Sequence, residues 1–325
     1  GVIMRRAAML GLAMAVHTLA CSSAFAADIV GVEHWTETKG TKVYIWEKYA
    51  GDPKKPDAPK FDARKVVMLA HGSATAGRES FDLQVPGKHD YSLMDELARQ
   101  GFDVFALDTR GFGRSTRPDA HMSTAQAKED LKAAIDYVLK LRGVSKVNLL
   151  GWSWGTQYAG MYVMDYPETV AKYVSYAQMH INSPDVTKRR SRIDAFRNNA
   201  YLTIPEESWK PRFVSMAPAE VNEREVVDAF AKAAVKAEPK SPTGPQLDLV
   251  TIMPMVNARL ITVPTMMIHG QYDDVADTAG LLPFFAELPN PQKKYVVIPN
   301  GGHMLHLQKG HLAFQHEVIG FFNAP

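Results

Sequence analysis

The sequence has little cysteine, with a single thiol at Cys21 among 325 residues. One thiol cannot close a disulfide within the chain, which excludes a disulfide framework and also a cysteine-rich zinc module. Long apolar runs are lacking too, because a permanent membrane helix needs about 20 consecutive apolar residues. The sequence therefore predicts no transmembrane anchor.

An excess of charge of one sign is also lacking. The chain has 37 Lys and Arg against 35 Asp and Glu, a formal net charge of +2. A protein whose main task is to bind nucleic acid carries a basic excess, so this balance excludes that class of protein. No internal repeat is visible, which excludes a solenoid or a propeller. Hydrophobic residues make up 46% of the chain and charged residues 22%, which predicts one or two globular units with a sizeable core.

The first 26 residues have the pattern of a signal peptide. Arg5 and Arg6 precede an apolar run over residues 7–19, and the small-residue pattern Ala24-Phe25-Ala26 follows at the distance that a signal peptidase reads. We therefore expect signal-peptide cleavage after residue 26 and a periplasmic or secreted mature protein. A lipoprotein attached through Cys21 is the alternative, although Thr18 stands where a lipobox has an aliphatic residue. Cleavage would remove Cys21, and a chain without thiols suits an oxidising compartment.

After Ala27 the chain alternates strand-like and helix-like segments. Residues 29–37 and 42–49 predict an antiparallel hairpin, and residues 51–60 a proline-containing loop. Short apolar runs typical of buried parallel strands lie at 65–70, 102–107, 146–150, 170–177, 263–268 and 294–298, and helical periods at 91–100, 123–142, 154–165 and 306–322. This alternation predicts an α/β fold, a mostly parallel sheet with helices on both faces.

Residues 180–258 break this alternation. The segment is helical in pattern, charged and contains methionine, and we predict no strand within it. We interpret it as a helical cap, or lid, inserted before the strand at 263–268. The expected organisation is a first part of the core at 27–179, the cap at 180–258 and a second part of the core at 259–325.

The segment Gly151-Trp152-Ser153-Trp154-Gly155 lies between the strand at 146–150 and the helix at 154–165. This is the nucleophile-elbow pattern, in which a serine sits on a strained turn from strand to helix and the flanking glycines let neighbouring backbones approach. The bare pentad arises often by chance, but chance rarely also places a hydrophobic strand before it and an amphipathic helix after it. The sequence thus predicts Ser153 as a nucleophile.

Two further strand ends carry groups that could activate this serine. Asp273, Asp274 and Asp277 follow the strand at 263–268, and a carboxylate there could accept the Nδ1 proton of a histidine. His303 follows the last strand between glycines that let the loop reach over the sheet edge, where the imidazole could take a proton from the serine. The chain order Ser, Asp, His is that of one serine-hydrolase architecture.

Together these motifs resemble the α/β-hydrolase superfamily, in particular its serine esterases and lipases with an inserted lid. The resemblance covers about residues 30–322 and includes His71-Gly72, the segment Asp108-Thr109-Arg110-Gly111-Phe112-Gly113-Arg114-Ser115 and the elbow. It implies that Asp273, in the spacing Gly-x-x-Asp, is the acid of a catalytic triad Ser153, Asp273 and His303. It also implies backbone N–H groups of Ser73 and Trp154 as the oxyanion hole, and structural roles for Asp108 and Arg110.

The resemblance implies hydrolysis of a carboxylic ester through an acyl-enzyme. Relatives that open epoxides or displace halides have Asp at the elbow, so Ser153 argues against both reactions. The elbow also resembles that of proline iminopeptidases, which leaves a peptidase or amide hydrolase open, although His71-Gly72-Ser73-Ala74 lacks the Gly-Gly-Pro-Gly continuation of those enzymes. A non-catalytic binding protein of the same fold is a further alternative.

The sequence says less about the substrate, which we expect to be a small ester or amide. Trp152 and Ser73 are candidate pocket residues, and Trp154 could wall the acyl pocket or pack beneath it. The run Lys188-Arg189-Arg190-Ser191-Arg192 could bind an anionic acyl group or form a solvated face. We expect no metal and no cofactor, because no cluster with ligand spacing and no glycine-rich phosphate loop is visible. The sequence does not define an oligomeric state.

Overall fold

The strand-like segments form one eight-stranded sheet in the computed structural model, which describes residues 28–52, 62–214 and 217–325. The strands are β1 (Asp28–Thr38), β2 (Thr41–Gly51), β3 (Val66–Ala70), β4 (Asp103–Asp108), β5 (Val147–Trp152), β6 (Val170–Tyr176), β7 (Tyr201–Leu202), β8 (Ser241–Pro242), β9 (Thr265–Gly270) and β10 (Lys293–Ile298). The predicted signal peptide lies outside the described residues, as does most of the predicted loop at 51–60.

The main sheet has the order β1-β2-β4-β3-β5-β6-β9-β10. Strands β1 and β2 form the predicted antiparallel hairpin, and β2 also pairs antiparallel with β4. All the other pairs in this sheet are parallel. The predicted α/β fold with a mostly parallel sheet is therefore confirmed.

The central strands are apolar because they are covered on both faces. Every residue of β3, β4, β5 and β9 is buried, whereas the edge strand β10 buries only Ile298. A strand in the middle of a helix-covered sheet has no face that water reaches, so its sequence is a continuous apolar run and does not alternate. The core therefore lies along β3 to β9.

Helices follow the strands, as expected, and lie on both faces of the sheet. They are α1 (Gly77–Phe81), α2 (Leu93–Arg99), α3 (Thr124–Arg142), α4 (Gly155–Asp165), α5 (Pro184–Arg190), α6 (Ile193–Asn198), α7 (Glu206–Val214), α8 (Arg224–Ala237), α9 (Gly244–Thr251), α10 (Thr278–Glu287) and α11 (His311–Asn323). Local signals set the ends of α3, where Ser123 and Gln126 form a capping box and Gly143 ends the helix with φ 62°.

The predicted cap segment holds α5 to α9 between β6 and β9. The expectation that it contains no strand is wrong, because β7 and β8 pair antiparallel as a separate two-stranded sheet. Each strand has two residues, which is too short for the alternating pattern that marks a strand in a sequence. Helices α7 and α8 pack through Phe213 and Phe230, whose ring centroids are 5.4 Å apart. The domain boundaries at 180 and 258 stay a prediction.

Within the described residues, no helix is long and apolar enough to cross a membrane.

Candidate active site

The site lies where β5, β9 and β10 end. Strands β5, β6, β9 and β10 are neighbours and run parallel, so their carboxyl ends share one edge of the sheet. Ser153 follows β5 directly, Asp273 lies in the loop after β9, and His303 lies in the loop after β10. Residues up to 150 positions apart in the chain thus reach one place because parallel strands bring their ends together.

Ser153 occupies a strained turn. Its φ is +56°, in the left-handed region that a residue with a side chain seldom adopts. The turn is also crowded: a Cβ added at Gly155 would lie 2.5 Å from the carbonyl oxygen of Ala70, and one at Gly151 would lie 2.6 Å from that of Gly155. Only glycine fits at these two positions, which explains the pentad that the sequence displays.

The structure brings Ser153, His303 and Asp273 into hydrogen-bond contact. The Oγ of Ser153 lies 2.9 Å from Nε2 of His303. On the other side of the ring, Nδ1 of His303 lies 3.0 Å from Oδ2 and 3.1 Å from Oδ1 of Asp273. The Asp273 side chain is fully buried, whereas that of His303 is 18% exposed. This chain of contacts could carry a proton from the serine to the imidazole.

The two competing acids have other partners. The Oδ2 of Asp274 pairs with Nζ of Lys188 at 3.3 Å. The carboxylate of Asp277 pairs with Nε2 of His180 at 2.5 Å and accepts the backbone N–H of Gly280 at the start of α10. Neither acid makes a hydrogen bond to His303 in the described structure, so the geometry favours Asp273 among the three.

The electrostatics of His303 suit a general base. Burial on its own would lower the pKa of His303, but the negative charge of Asp273 and its hydrogen bond outweigh this effect and raise it. Asp185 and Asp274 raise the pKa of His303 further. An imidazolium that forms during a reaction would therefore be stabilised.

The loop after β3 lies against the nucleophile. A Cβ added at Gly72 would lie 3.1 Å from the Cβ of Ser153, which places the backbone of Gly72 and Ser73 beside it. In the described part of the chain, the backbone N–H groups of Ser73 and Trp154 donate to no protein acceptor. Both N–H groups are thus available to an oxygen atom of a ligand, and their role as an oxyanion hole stays a prediction.

The two tryptophans of the elbow differ in position. Trp152 lines the cavity above Ser153, and its Nε1 donates to the carbonyl oxygen of His303 at 3.3 Å. Trp154 is fully buried beneath the site, where its Nε1 donates to Thr124 Oγ1 at 3.0 Å and its ring stacks on Phe112. The packing alternative therefore holds for the Trp154 side chain.

A cavity of about 420 Å³ opens above Ser153 and His303. Its walls combine core and cap residues, including Ser73 and Trp152. The apolar side chains of this lining are Phe196, Leu202, Ile204, Trp209, Phe213, Phe230, Val275 and Met304, and the charged ones are Asp185, Lys188, Arg189, Arg192, Arg212 and Asp274. The cavity could hold a small molecule that has both an apolar part and a charged part.

Two cap residues that the sequence analysis did not single out contact the loops at the site. Nε2 of Gln246, in α9, donates to Oγ of Ser73 at 3.1 Å. Glu238, at the end of α8, accepts the backbone N–H groups of Ala76 and Gly113 at 3.1 and 2.9 Å. No motif marks either residue, because each acts through a contact between segments far apart in the chain.

Other polar residues near the site have structural partners. Asp108 accepts the backbone N–H groups of Gly77 and Arg114, and Arg110 pairs with Asp130 at 2.8 Å. His306 lies in the segment that leads to α11. Its Nδ1 contacts the hydroxyl of Tyr176, and its Nε2 contacts the carbonyl oxygen of Ser80. In the part of the chain that the structure describes, no group of three or more His, Cys, Asp or Glu residues could hold a metal ion.

Comparison with known families agrees with this architecture. Residues 65–310 match the model of a family that has the alpha/beta hydrolase fold. An esterase from Exiguobacterium antarcticum superposes with a TM-score of 0.67 and 16% sequence identity, covering 90% of this chain and 100% of the esterase. At that identity the structural similarity shows the fold alone.

Two curated relatives are similar to this chain over segments of different length. A monoacylglycerol lipase from Mycolicibacterium smegmatis is 27% identical over 233 residues, which is 68% of this chain and 75% of the lipase. A proline iminopeptidase from Lactobacillus delbrueckii subsp. bulgaricus is 28% identical over 113 residues, 34% of this chain and 35% of the peptidase. The chain thus matches only about a third of the length of that peptidase.

Proposed function

Because the chain belongs to the alpha/beta hydrolase fold family, we propose that it is a serine hydrolase that cleaves a carboxylic ester through an acyl-enzyme on Ser153. One observation carries this proposal: Oγ of Ser153 lies 2.9 Å from Nε2 of His303, whose Nδ1 lies 3.0 Å from Oδ2 of Asp273. A nucleophile, a base and a group that orients the base are the parts that acyl transfer needs.

In the proposed reaction, Ser153 Oγ attacks the acyl carbon while Nε2 of His303 accepts its proton. Asp273 holds the imidazole in the right tautomer and stabilises the imidazolium. The backbone N–H groups of Ser73 and Trp154 bind the negative charge that develops on the carbonyl oxygen. His303 then protonates the leaving alcohol, and water releases the acid by the same steps.

A proline-iminopeptidase-like or amide hydrolase is the second candidate, favoured by the similarity to proline iminopeptidases over about a third of their length. The cavity argues for the ester instead. An iminopeptidase must bind the positively charged amino terminus of its substrate, whereas the described residues that line this cavity include four basic and two acidic ones. Repulsion between like charges makes such a cavity a poor site for an ammonium group.

The test uses fluorophosphonate labelling of the chain and of Ser153→Ala, read as intact mass. We expect one adduct on the wild type and none on the variant, because only an activated serine attacks the probe. Turnover of p-nitrophenyl acetate should be lost in Ser153→Ala, by about 10⁶-fold if the residues of the triad act as a unit. Folding of both proteins is compared by circular dichroism.

Three other outcomes would change the proposal. Turnover of prolyl-p-nitroanilide in preference to the ester would assign the chain as a peptidase. An adduct that persists in Ser153→Ala would place the nucleophile elsewhere. A folded wild type with neither adduct nor turnover would support a non-catalytic binding protein of this fold.

We also propose that the protein is exported to the periplasm or the medium, on the support of Arg5, Arg6, the apolar run at 7–19 and the pattern that ends at Ala26. Expression of the full chain in a Gram-negative host should give a periplasmic or secreted protein whose amino terminus is Ala27. A protein that stays uncleaved in the cytoplasm would contradict the proposal, and a lipid-modified Cys21 would replace it with membrane attachment.

A further inference from the structure

The basic run of the cap faces the cavity rather than solvent alone. Lys188 and Arg189 of α5, Arg192 just after it and Arg212 of α7 all line the cavity that contains Ser153. We call these four side chains the cationic cluster. Arg190 and Arg197 belong to the same part of the cap and are exposed, as Lys188, Arg192 and Arg212 are in part, but neither of them lines the cavity. The positions of the basic residues therefore divide them into a cavity set and a surface set.

Part of the positive charge of the cationic cluster is balanced within the cavity. Nζ of Lys188 lies 3.3 Å from Oδ2 of Asp274, and Nε of Arg189 lies 2.5 Å from Oδ2 of Asp185. These two aspartates are the only acidic residues among the described residues that line the cavity. Four basic residues against two acidic ones leave the lining with a formal excess of positive charge.

The two other members of the cationic cluster lie over aromatic rings. Cζ of Arg192 lies 5.2 Å from the ring centroid of Phe196, and Cζ of Arg212 lies 5.2 Å from that of Trp209. At this distance a guanidinium is attracted to the negative face of an aromatic ring, which stabilises its position. The rings thus help to hold both positive groups beside the cavity.

The members of the cationic cluster also act on one another. Desolvation and then repulsion from Arg192 and Arg189 lower the pKa of Arg212 to about 10, although part of the residue is exposed to water. The guanidinium remains positive at neutral pH, but its charged form is less stable than in water. An anion in the cavity would relieve this repulsion.

We propose that the cationic cluster binds a carboxylate group of the substrate, remote from the ester bond that Ser153 attacks. The inference rests on the proposed function and names its substrate class: esters of small molecules that carry a carboxylate on the acyl or the alcohol part. The apolar side chains of the same cavity accommodate the hydrocarbon segment between the two groups. The charge of the cavity thereby selects the substrate.

The kinetic test compares two esters that differ at one end, p-nitrophenyl hexanoate and the mono-p-nitrophenyl ester of adipic acid. In Arg192→Gln and Arg212→Gln, kcat/KM for the adipate ester should fall about tenfold, as expected for the loss of a charge-assisted hydrogen bond. For the hexanoate ester it should change less than about twofold, since only the remote anion contacts the cluster. Phenyl acetate and 3-acetoxybenzoate form the second pair, with the carboxylate on the leaving group.

The matched controls are Arg190→Gln and Arg197→Gln, which remove a charge from the same region of the cap outside the cavity. Neither variant should change kcat/KM for any of the four esters. Selective loss in either pair supports the proposal and identifies the side of the ester that carries the carboxylate. Equal loss for the neutral and anionic members of both pairs, or loss as large in Arg190→Gln, would overturn it.

A binding measurement separates this inference from the proposed chemistry. In Ser153→Ala, the fluorescence of Trp152 and Trp209, which line the cavity, can report on ligands. Adipamate, an amide with a remote carboxylate, should bind at least about tenfold more tightly than hexanamide, and less tightly at high salt. Binding without any ester turnover by the wild type would refute only the proposed function, whereas ester turnover with equal binding of both amides would refute the anion site.

Discussion

At the scale of single residues, three neighbouring aspartates illustrate how position decides role. Asp273 contacts His303, whereas Asp274 pairs with Lys188 and Asp277 with His180. Asp273→Asn should lower kcat by about 10⁴-fold, because the amide no longer holds the imidazole in the right tautomer. His303 must be neutral to accept a proton, so activity falls as the pH drops through its pKa, which Asp273 raises. In Asp273→Asn the acid limb of the pH–rate profile should therefore move to lower pH.

The matched control is Asp274→Asn. Asp274 also raises the pKa of His303, but its effect is smaller than those of Asp273 and Asp185. It makes no hydrogen bond to the ring in the described structure. We expect less than a tenfold loss of kcat and a smaller shift of the acid limb, in keeping with an indirect electrostatic effect. Steady-state profiles of kcat/KM from pH 4 to 9 measure both variants. A larger loss in Asp274→Asn than in Asp273→Asn would reverse the assignment of the acid.

At the scale of elements, Glu238 joins the cap to the loops that surround the site. Its Oε1 accepts the N–H groups of Ala76, near Ser73, and of Gly113, and its Oε2 pairs with Arg117 at 2.7 Å. Glu238→Ala leaves one buried and one partly buried N–H group without an acceptor, which should lower the free energy of unfolding by about 2–4 kcal/mol. It should also lower kcat, by up to about 100-fold, if the loop after β3 loses its position.

Two comparisons give this prediction its controls. Glu238→Gln keeps an amide oxygen in the place of Oε1 and should recover much of the lost stability. Glu225→Ala removes an exposed carboxylate from the first turn of the same helix, α8, and should change the unfolding free energy by less than about 0.5 kcal/mol. Denaturant unfolding and ester turnover measure all three. If Glu238→Ala is as stable as Glu225→Ala, the contact does not hold the cap to the core.

At the scale of the whole molecule, two buried histidines should make stability depend on pH. Burial lowers the pKa of His71 to about 4 and that of His306 to about 3. Each lowered pKa means that the unfolded chain binds a proton more readily than the folded one. The stability that these groups contribute is therefore complete above the unfolded pKa of about 6.5 and is lost as the pH falls towards the folded pKa, by about 1.4 kcal/mol per pH unit for each histidine.

The measurement is the free energy of unfolding by denaturant at pH steps from 7 to 4.5. His303 acts in the opposite direction because its pKa is raised, and so do the buried carboxyls of Asp103, Asp108 and Glu238, whose pKa values burial raises. The prediction therefore concerns the difference in slope between variant and wild type. His306→Gln should make the slope of unfolding free energy against pH less positive than in the wild type by about 1.4 kcal/mol per pH unit. The exposed His316 is the control, and His316→Gln should leave the slope as in the wild type. A slope in His306→Gln as steep as that of the wild type would contradict the prediction.

Regular patterns made most of the fold predictable. The buried strands β3 to β6 and β9 read as apolar runs, and the long helix α3 shows both its capping box and its terminal glycine. The elbow was readable because glycine alone fits beside the strained Ser153. Strands β7 and β8 were missed because two residues are too few to show an alternating pattern. Their pairing also depends on a partner 41 positions away in the chain, Tyr201 with Pro242.

The sequence by itself thus determined the class of fold and the order of its strands and helices along the chain, and it predicted the nucleophilic serine, since each of these depends on residues close together in the chain. Only the tertiary structure decided which aspartate meets His303, which elbow tryptophan faces the cavity, and which basic residues of the cap line it. Charge and residue type are properties of the chain, but the direction of a side chain depends on the packing of distant segments. The cap illustrates this difference, because Arg190 and Arg192 stand two positions apart and are both exposed, yet of the two only Arg192 lines the cavity.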